Sequence, residues 1–233
     1  MLFFGFIILR KRDTNAAMTQ PLSIYFAGEL FSLKHLSGNA MLADAIQRVS
    51  NGRFACVVPQ DLEQREYTAI SIRDQDLLHV VSCDVGLFNF DGPELDSGTV
   101  VEYMIAKMLD IPCVIIRTDF RSAGDFRGLP WNLMLAEYPR TKVVLLDAMA
   151  DYQKALKKTQ SPLEAAQYAT DDLARSVVEA FNDVMAEKPV LTPELRASVY
   201  EWIRHLPGAT FAQLLTEDSL KNILSSKVSR GLV

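Results

Sequence analysis

Short apolar runs alternate with segments of helical periodicity over the first two thirds of the chain. An apolar run of strand length is typical of a strand that is buried on both faces, and parallel sheets are built from such strands. The predicted strands are residues 22–27, 54–58, a run within 78–90, 112–116 and 142–146. The sequence therefore predicts an α/β fold, a doubly wound and mostly parallel five-stranded sheet of flavodoxin- or Rossmann-like type, with helices on both faces.

Helical spacing of apolar residues between these runs predicts helices over residues 40–49 and 100–109. In sheets of this kind the ligand lies outside the carboxyl ends of the strands. Chemistry is therefore expected in the three stretches that follow predicted strands, residues 25–28, 89–96 and 117–126.

The net charge argues against nucleic acid and membranes as partners, and the cysteine and histidine positions argue against a metal site. The chain has 24 Lys and Arg residues against 29 Asp and Glu, a net charge of −5, so it lacks the basic footprint of a protein that binds nucleic acid or associates stably with membranes. Cys56, Cys83 and Cys113 lie in apolar runs without C-x-x-C spacing, which indicates buried thiols in a reducing cytoplasm. With three scattered histidines, the sequence predicts no metal site and no cofactor.

The two ends of the chain differ in character from its middle. Residues 1–9 are continuously apolar, shorter than the ~20 residues of a membrane span, and basic residues follow them rather than precede them as in a secretory signal. We expect residues 1–17 to be a disordered or artefactual extension, with a weak membrane anchor as the second interpretation and Met18 as an alternative start. Residues 18–160 are expected to be the α/β domain. Ser161-Pro162 and Thr192-Pro193 predict two helix starts, and a third helix is expected over 211–224, so residues 161–233 form a helical extension.

The segment 91–102, DGPELDSGTVVE, has the most informative spacing. It predicts a turn at residues 91–93, a second turn at 96–99 that opens a helix, and Glu102 in the first turns of that helix. Thr99 with Glu102 fits a capping box, in which the glutamate only closes the helix start. The same position also suits a nucleophile, because the helix dipole favours an ionised carboxylate there. The spacing alone leaves both interpretations open.

Four stretches, taken in order, resemble the nucleoside 2-deoxyribosyltransferase family. They are SIYFAGELF at 23–31, Asp76 ahead of a buried strand, DSGTVVE at 96–102 and PWNLM at 130–134. The resemblance covers about residues 22–146, and the D-x-G-x-x-x-E pattern is its most specific part. It implies transfer of a 2-deoxyribosyl group between purine or pyrimidine bases, through a covalent glycosyl-glutamate and with retention. The ligands would be a deoxynucleoside and a free nucleobase.

The resemblance also implies roles for individual residues. Glu102 would be the nucleophile, Tyr25 would hydrogen-bond it, Asp96 would orient the sugar, and Asp76 would face the base as general acid and base. The substrate-binding residues that it implies are Gly28, Phe31, Gly98, Asn132 and Met134. Asn132 would come from a neighbouring subunit and hold the primary hydroxyl of the sugar. The expected assembly is a homo-oligomer built from dimers, up to a hexamer, with shared sites.

Several residues keep a second interpretation. Phe31, Trp131 and Met134 could equally be core residues. Arg117 and Arg121 could bind phosphate or pair with carboxylates. Asp74 could raise the pKa of Asp76 or be a solvated loop charge. Glu29 stands where relatives often carry proline or an aromatic residue, and it adds negative charge to the first loop.

Two other functions stay open on the sequence. A nucleoside 5′-monophosphate N-glycosidase would keep the tyrosine, the aspartate and the glutamate, but Asn132 favours a substrate with a free primary hydroxyl. A non-catalytic nucleotide-binding module would have the same fold, because fold does not imply activity. The retained set of Tyr25, Asp76, Asp96 and Glu102 argues against such a module.

Overall fold

The computed structural model describes residues 20–62, 68–121 and 124–233. The strands within them are β1 (Leu22–Ala27), β2 (Phe54–Val57), β3 (Val85–Asn89), β4 (Cys113–Arg117) and β5 (Thr141–Leu145). They form one sheet in the order β2-β1-β3-β4-β5, and every neighbouring pair is parallel. This confirms the predicted α/β fold, and the strand order is the flavodoxin-like one.

Helices cover both faces of the sheet. They are α1 (Leu33–Val49), α2 (Ala69–Ser82), α3 (Ser97–Met108), α4 (Ala148–Leu156), α5 (Pro162–Met185), α6 (Pro193–His205), α7 (Ala209–Leu214) and α8 (Glu217–Ser229). One face packs against α1 and α5, and the other packs against α2, α3 and the helices α6–α8. The doubly wound arrangement is therefore confirmed, with a helical C-terminal region.

Strand β1 shows how the sequence assigns side chains to the two faces. Ile24 and Phe26 belong to the core under α1 and α5, whereas Tyr25 and Ala27 belong to the core under α2 and α3. This alternation follows from the two-residue period of a strand. Since β1 is followed along the chain by β2 on one side and pairs with β3 on the other, the topological switch point lies at the carboxyl ends of β1 and β3.

Helix boundaries differ from the sequence expectation at two places. α1 starts at Leu33 rather than near residue 40, because Ser32 caps it and Asn39, which is buried, donates hydrogen bonds from inside the helix to Glu29 O and Gln60 Oε1. The predicted apolar run within 78–90 contains two elements, the end of α2 and the whole of β3.

The C-terminal helices begin where their capping hydroxyls predict. Ser161 caps α5 and Thr192 caps α6, each followed by proline. The single helix expected over 211–224 is wrong, because Thr216 caps a new helix and divides the segment into α7 and α8. α5 packs along α1 and against β4 and β5, so it completes one face of the sheet.

The thiols lie in the interior as predicted for Cys83 and Cys113, whereas Cys56 is partly exposed. Burial raises the pKa of Cys56 to about 12 and those of Cys83 and Cys113 to about 11, which makes them poor nucleophiles. In the described residues no helix has the length and apolarity needed to cross a membrane, and no cluster of acidic, histidine and cysteine side chains has the geometry to hold a metal ion. The expected extension at residues 1–17 lies outside the described residues.

Candidate active site

A hydrogen bond between Tyr25 and Glu102 is the centre of the candidate site. Tyr25 is buried in β1 on the face that α2 and α3 cover, and Glu102 lies in the second turn of α3. The Tyr25 hydroxyl donates to Glu102 Oε1 over 2.6 Å. That length is typical of an O–H group that donates to a carboxylate. The structure thus joins two residues that are 77 positions apart and that the sequence analysis placed in one site.

Asp96 caps the helix that carries Glu102. Its Oδ2 accepts from the Thr99 amide over 2.8 Å and from the Thr99 hydroxyl over 2.9 Å. The capping box of Thr99 with Glu102 is therefore wrong, since Asp96 is the cap and Glu102 points to Tyr25. The nucleophile interpretation no longer competes with a capping role for Glu102.

Asp76 lies on α2, on the same side of the sheet as Tyr25 and Glu102. Burial raises the pKa of Asp76 to about 6, and the nearby His79 imidazole opposes this. In the described part of the chain no group hydrogen-bonds to Asp76 Oδ1, although that atom is buried. A buried carboxyl oxygen without a partner favours the protonated acid, which is the form that can donate to a leaving group.

The three carboxyl groups influence each other. Burial is the main cause that raises the pKa of Glu102 to about 7; the Tyr25 hydrogen bond opposes it, while the charges of Asp76 and Asp96 add to it. Burial and the charge of Glu102 raise the pKa of Tyr25, so its hydroxyl stays a donor at every physiological pH. Near neutral pH the site therefore holds both an ionisable carboxylate and an available proton.

Two glycines allow close approach around these groups. A Cβ on Gly28 would lie 3.1 Å from Asn89 Cβ, where β1 and β3 end. A Cβ on Gly98 would lie 3.1 Å from the capping oxygen of Asp96. Both contacts are tighter than ordinary packing, so larger residues would push the strand ends or the Asp96 carboxylate aside. Contact with substrate stays a prediction for both glycines.

Phe31, Asn132 and Met134 are exposed, and within the described residues none of them has a hydrogen bond to Glu102. Phe31 is 75% exposed and Met134 is 67% exposed, so the core interpretation of both is wrong. Asn132 is exposed, and its Oδ1 accepts from the Met134 amide. Trp131, in contrast, is buried in the core and packs edge-on against Phe90.

Other charged residues are engaged in structural contacts. Arg117 is buried and donates to the carbonyl oxygens of Phe90, Gly92 and Arg121, and Arg121 pairs with Asp119. The guanidinium groups of both arginines therefore already have hydrogen-bond or ion-pair partners within the protein.

Glu29 lies on the other face of the sheet edge. Its carboxylate is 3.3 Å from His35 Nε2, and both residues line a cavity of about 270 Å³ beside Phe26 and Leu42. The charge of Glu29 is therefore directed to the α1 side and away from the α3 side, which carries Glu102.

Asp74 differs from its expectation as a solvated loop charge, and its contact with Thr210 was not anticipated. Asp74 is buried rather than a solvated loop charge, and it accepts hydrogen bonds from Arg73 and from Thr210. The sequence does contain a signal, because Asp74 lies three residues before Leu77 and seven before Val81, within the buried stripe of α2. A carboxylate in such a stripe needs a buried partner.

Comparisons with known proteins identify a matching family model and several similar solved structures. Residues 24–134 match the family model of nucleoside 2-deoxyribosyltransferase, which confirms the resemblance inferred from the sequence. A conserved protein from Enterococcus faecalis is similar at 21% identity over 70% of this chain and 98% of that one, with a TM-score of 0.44. A 2-deoxyribosyltransferase from Leishmania mexicana is similar at 22% identity over 60% and 100% of the two chains, with a TM-score of 0.43. A third, from Bacillus psychrosaccharolyticus, has 18% identity over 61% and 95%, with a TM-score of 0.40. No curated protein matches.

Proposed function

We propose that this chain transfers the 2-deoxyribosyl group of a deoxynucleoside to a second nucleobase, purine or pyrimidine. The match of residues 24–134 to the nucleoside 2-deoxyribosyltransferase family model supports the proposal. The transfer passes through a covalent ester between the sugar and Glu102, and the configuration at the anomeric carbon is retained. The coarser function, a deoxyribosyltransferase-like or related N-glycosidase, follows from the family itself.

The Tyr25–Glu102 hydrogen bond carries this proposal. Nucleophilic catalysis needs a carboxylate that is held in one orientation and partly shielded from bulk water, and a partly buried glutamate with a 2.6 Å hydrogen bond from tyrosine meets both needs. The bond occupies Oε1, so Oε2 is the oxygen that attacks.

Cleavage of an N-glycosidic bond develops positive charge at the anomeric carbon. Glu102 Oε2 forms the new C–O bond as the C–N bond to the base breaks, and the electron pair of that bond leaves with the base. Asp76 gives its proton to the departing base, so the base leaves neutral. The second base then attacks the anomeric carbon of the glycosyl ester, the C–O bond to Glu102 breaks and releases the carboxylate, and the base gives its proton to Asp76. Two inversions give net retention.

The contacts of Arg117 and Arg121 favour a nucleoside over a nucleoside 5′-monophosphate as the substrate. These are the two arginines that the sequence offered as phosphate ligands. Arg117, at the end of β4, donates to backbone carbonyl oxygens, and Arg121 pairs with Asp119. The family resemblance, in which Asn132 holds a free primary hydroxyl, favours the same choice.

A base-exchange assay tests the function. The protein is incubated with a deoxynucleoside and a different free base, and the new deoxynucleoside is measured by chromatography, with Glu102→Gln as the matched control. Wild-type exchange that the control lacks supports the proposal. Hydrolysis confined to a nucleoside 5′-monophosphate would instead identify an N-glycosidase, and the absence of turnover on every substrate would indicate a binding module.

Covalent catalysis has its own test. Incubation with a 2-fluoro-2-deoxy nucleoside, whose sugar leaves the enzyme slowly, should add the sugar mass to the peptide that contains Glu102. Steady-state kinetics with both substrates should give parallel double-reciprocal lines. Intersecting lines without a labelled peptide would contradict the covalent intermediate.

A further inference from the structure

Helix α2 has a carboxylate within its buried stripe. Asp74, Leu77, Val80 and Val81 are its buried residues, and their spacing is that of one helix face. Leu77, Val80 and Val81 pack into the core that also contains Tyr25. Asp74 continues this stripe toward the helix N-terminus, where an apolar side chain would bury the same surface without a directional bond.

The partners of Asp74 come from α2 itself and from the C-terminal helices. Thr210, in α7, donates from its hydroxyl to Asp74 Oδ2 over 2.6 Å. Arg73 donates to Asp74 Oδ1 from Nε over 2.9 Å and from Nη2 over 2.6 Å, and its Nη2 also reaches Pro207 O over 2.9 Å. The carboxylate therefore ties α2 to the segment at the start of α7.

A second attachment lies beyond the other end of α2. Lys227 in α8 is buried and donates to Cys83 O, and Cys83 is the residue that ends α2. Arg230 donates to both carboxylate oxygens of Asp84 over 2.9 Å. The C-terminal helices thus hold α2 near its first turns and just past its last one, and Asp76 lies between these two points.

The helix geometry connects Asp74 to Asp76. Residues two apart on an α-helix point roughly 200° away from each other, so Asp74 faces α7 while Asp76 faces nearly the opposite way. A rotation of α2 about its axis moves both carboxyls together. Apolar packing keeps the buried stripe turned toward the core, and the short hydrogen bond to the Asp74 carboxylate adds a directional contact that fixes the angle of the helix more closely.

We propose that the Thr210–Asp74 hydrogen bond is a positioning contact for Asp76, by which the C-terminal helices set the direction of the acid that protonates the leaving base. The inference rests on the proposed function, in which Asp76 has that role. Thr210 is a positioning residue, because it acts through α2 and has no contact with the reacting atoms.

Three variants test the contact. Thr210→Val removes the hydroxyl at nearly constant volume, Thr210→Ser retains it, and Ser161→Ala removes the cap of α5 on the opposite face as a matched control for lost stability. For a natural deoxynucleoside, Thr210→Val should lower kcat about 10- to 100-fold, the effect expected of a displaced catalytic group. Thr210→Ser should restore most of the rate, and Ser161→Ala should leave it unchanged.

The leaving group separates positioning from a general structural effect. A 4-nitrophenyl 2-deoxyriboside releases a phenolate that needs no proton, so Thr210→Val should release it at close to the wild-type rate. An equal loss of rate on both donors would overturn the proposal, since the defect would then not concern the acid. If Thr210→Val does not fold, Asp74→Asn, which keeps the side-chain size, is compared on the same two donors.

A measurement without substrate separates this inference from the proposed function. The carboxyl of Asp76 is titrated by ¹³C NMR in wild type and in Thr210→Val, with Asp76→Asn for assignment. The titration midpoint should move in Thr210→Val and return in Thr210→Ser. An unchanged midpoint in Thr210→Val would overturn the positioning role, whether or not the wild-type protein transfers a sugar. If the midpoint moves but the wild-type protein transfers no sugar, the positioning role is retained and the proposed transferase function is rejected.

Discussion

The burial of Glu102 has opposite effects on stability and on activity. Its pKa is raised from 4.5 to about 7, mainly by burial, so the folded protein binds this proton more tightly than the unfolded chain does. The ionised form therefore costs folding free energy. This cost is absent below about pH 4.5 and fully present above about pH 7. A carboxylate kept at such a cost is typical of functional sites.

We predict that Glu102→Gln abolishes transfer and stabilises the fold. Without the nucleophilic oxygen the rate should fall roughly 10⁴-fold or more. The neutral amide still accepts from Tyr25, so at pH 8 the free energy of unfolding should rise, on the order of 2 kcal/mol, and near pH 4 the gain should vanish. Chemical denaturation at both pH values measures this. An active Glu102→Gln enzyme would exclude Glu102 as nucleophile, and a gain that persists at pH 4 would exclude the ionisation cost.

The protonation states of Asp76 and Glu102 predict a bell-shaped pH dependence. Transfer needs one proton in the pair, carried by Asp76, and an ionised Glu102. With pKa values raised to about 6 and about 7, kcat/KM should peak between them, falling at lower pH as both carboxyls are protonated and at higher pH as both ionise. Asp76→Asn should lower the rate and remove the alkaline limb. A limb that survives this substitution would belong to another group.

At the scale of elements, the cap of α3 is also a candidate site residue. Asp96 accepts two hydrogen bonds from Thr99 through Oδ2, which holds the helix start. We propose that its other carboxylate oxygen, Oδ1, binds the sugar. The helix that follows β3 starts at the edge of the sheet where ligands bind, so a capping carboxylate and a candidate catalytic carboxylate lie close together there. For this reason the sequence pattern alone could not decide whether Glu102 is a cap or a nucleophile.

Two substitutions of Asp96 separate its roles. Serine is also a good cap, so Asp96→Ser should change the free energy of unfolding by less than ~0.5 kcal/mol, whereas Asp96→Ala should cost about 1 kcal/mol. Both lack the second carboxylate oxygen, so both should lose roughly 100-fold in kcat/KM. Thermal unfolding and the base-exchange assay measure the two effects. Near wild-type activity in Asp96→Ser would make Asp96 a cap only.

Periodicity and turn residues were sufficient to predict the sheet, because all five strands are short and rich in apolar residues, and the inner strands β1, β3 and β4 are largely buried. These patterns failed at α2, whose stripe contains Asp74 and whose packing depends on Thr210, 136 residues away. The same patterns predicted α1 too short, at residues 40–49. The polar Asn39 is buried in this helix because Glu29 O and Gln60 Oε1 accept its amide hydrogens. The spacing of Asp74 places it in the buried stripe of α2, but the local sequence does not identify the distant partner that makes its burial possible.

The same limit applies to the candidate site. The spacing from Asp96 to Glu102 is local, and it made both residues candidates. The bond from Tyr25 to Glu102 links β1 to α3, and only the family resemblance anticipated it. The raised pKa of Asp76 depends on burial by the surrounding helices, which no short motif encodes.

At the scale of the whole molecule, the exposed apolar surface next to Asn132, formed by Phe126, Leu133 and Met134, has the composition of an interface. Leu133 and Met134 follow Asn132 and are exposed, and Phe126 in the same loop is 62% exposed. Neighbouring exposed apolar side chains are typical of surfaces that a partner covers. Since Asn132 itself is exposed and has no hydrogen bond to Tyr25 or Glu102 in the described residues, we propose that it completes the site of a second copy of this chain.

Complementation between two inactive variants tests this assembly. In a shared site each subunit gives Glu102 to its own pocket and Asn132 to that of its neighbour, as a symmetric contact allows. Glu102→Ala and Asn132→Ala should each be strongly impaired, and co-expression should form mixed oligomers in which some pockets keep both groups. For a dimer with random mixing, about one pocket in four recovers, so activity should approach about a quarter of wild type. Differently tagged subunits, purified in sequence, verify mixing. Verified mixed oligomers that stay as inactive as their parents would show that Asn132 does not act across subunits.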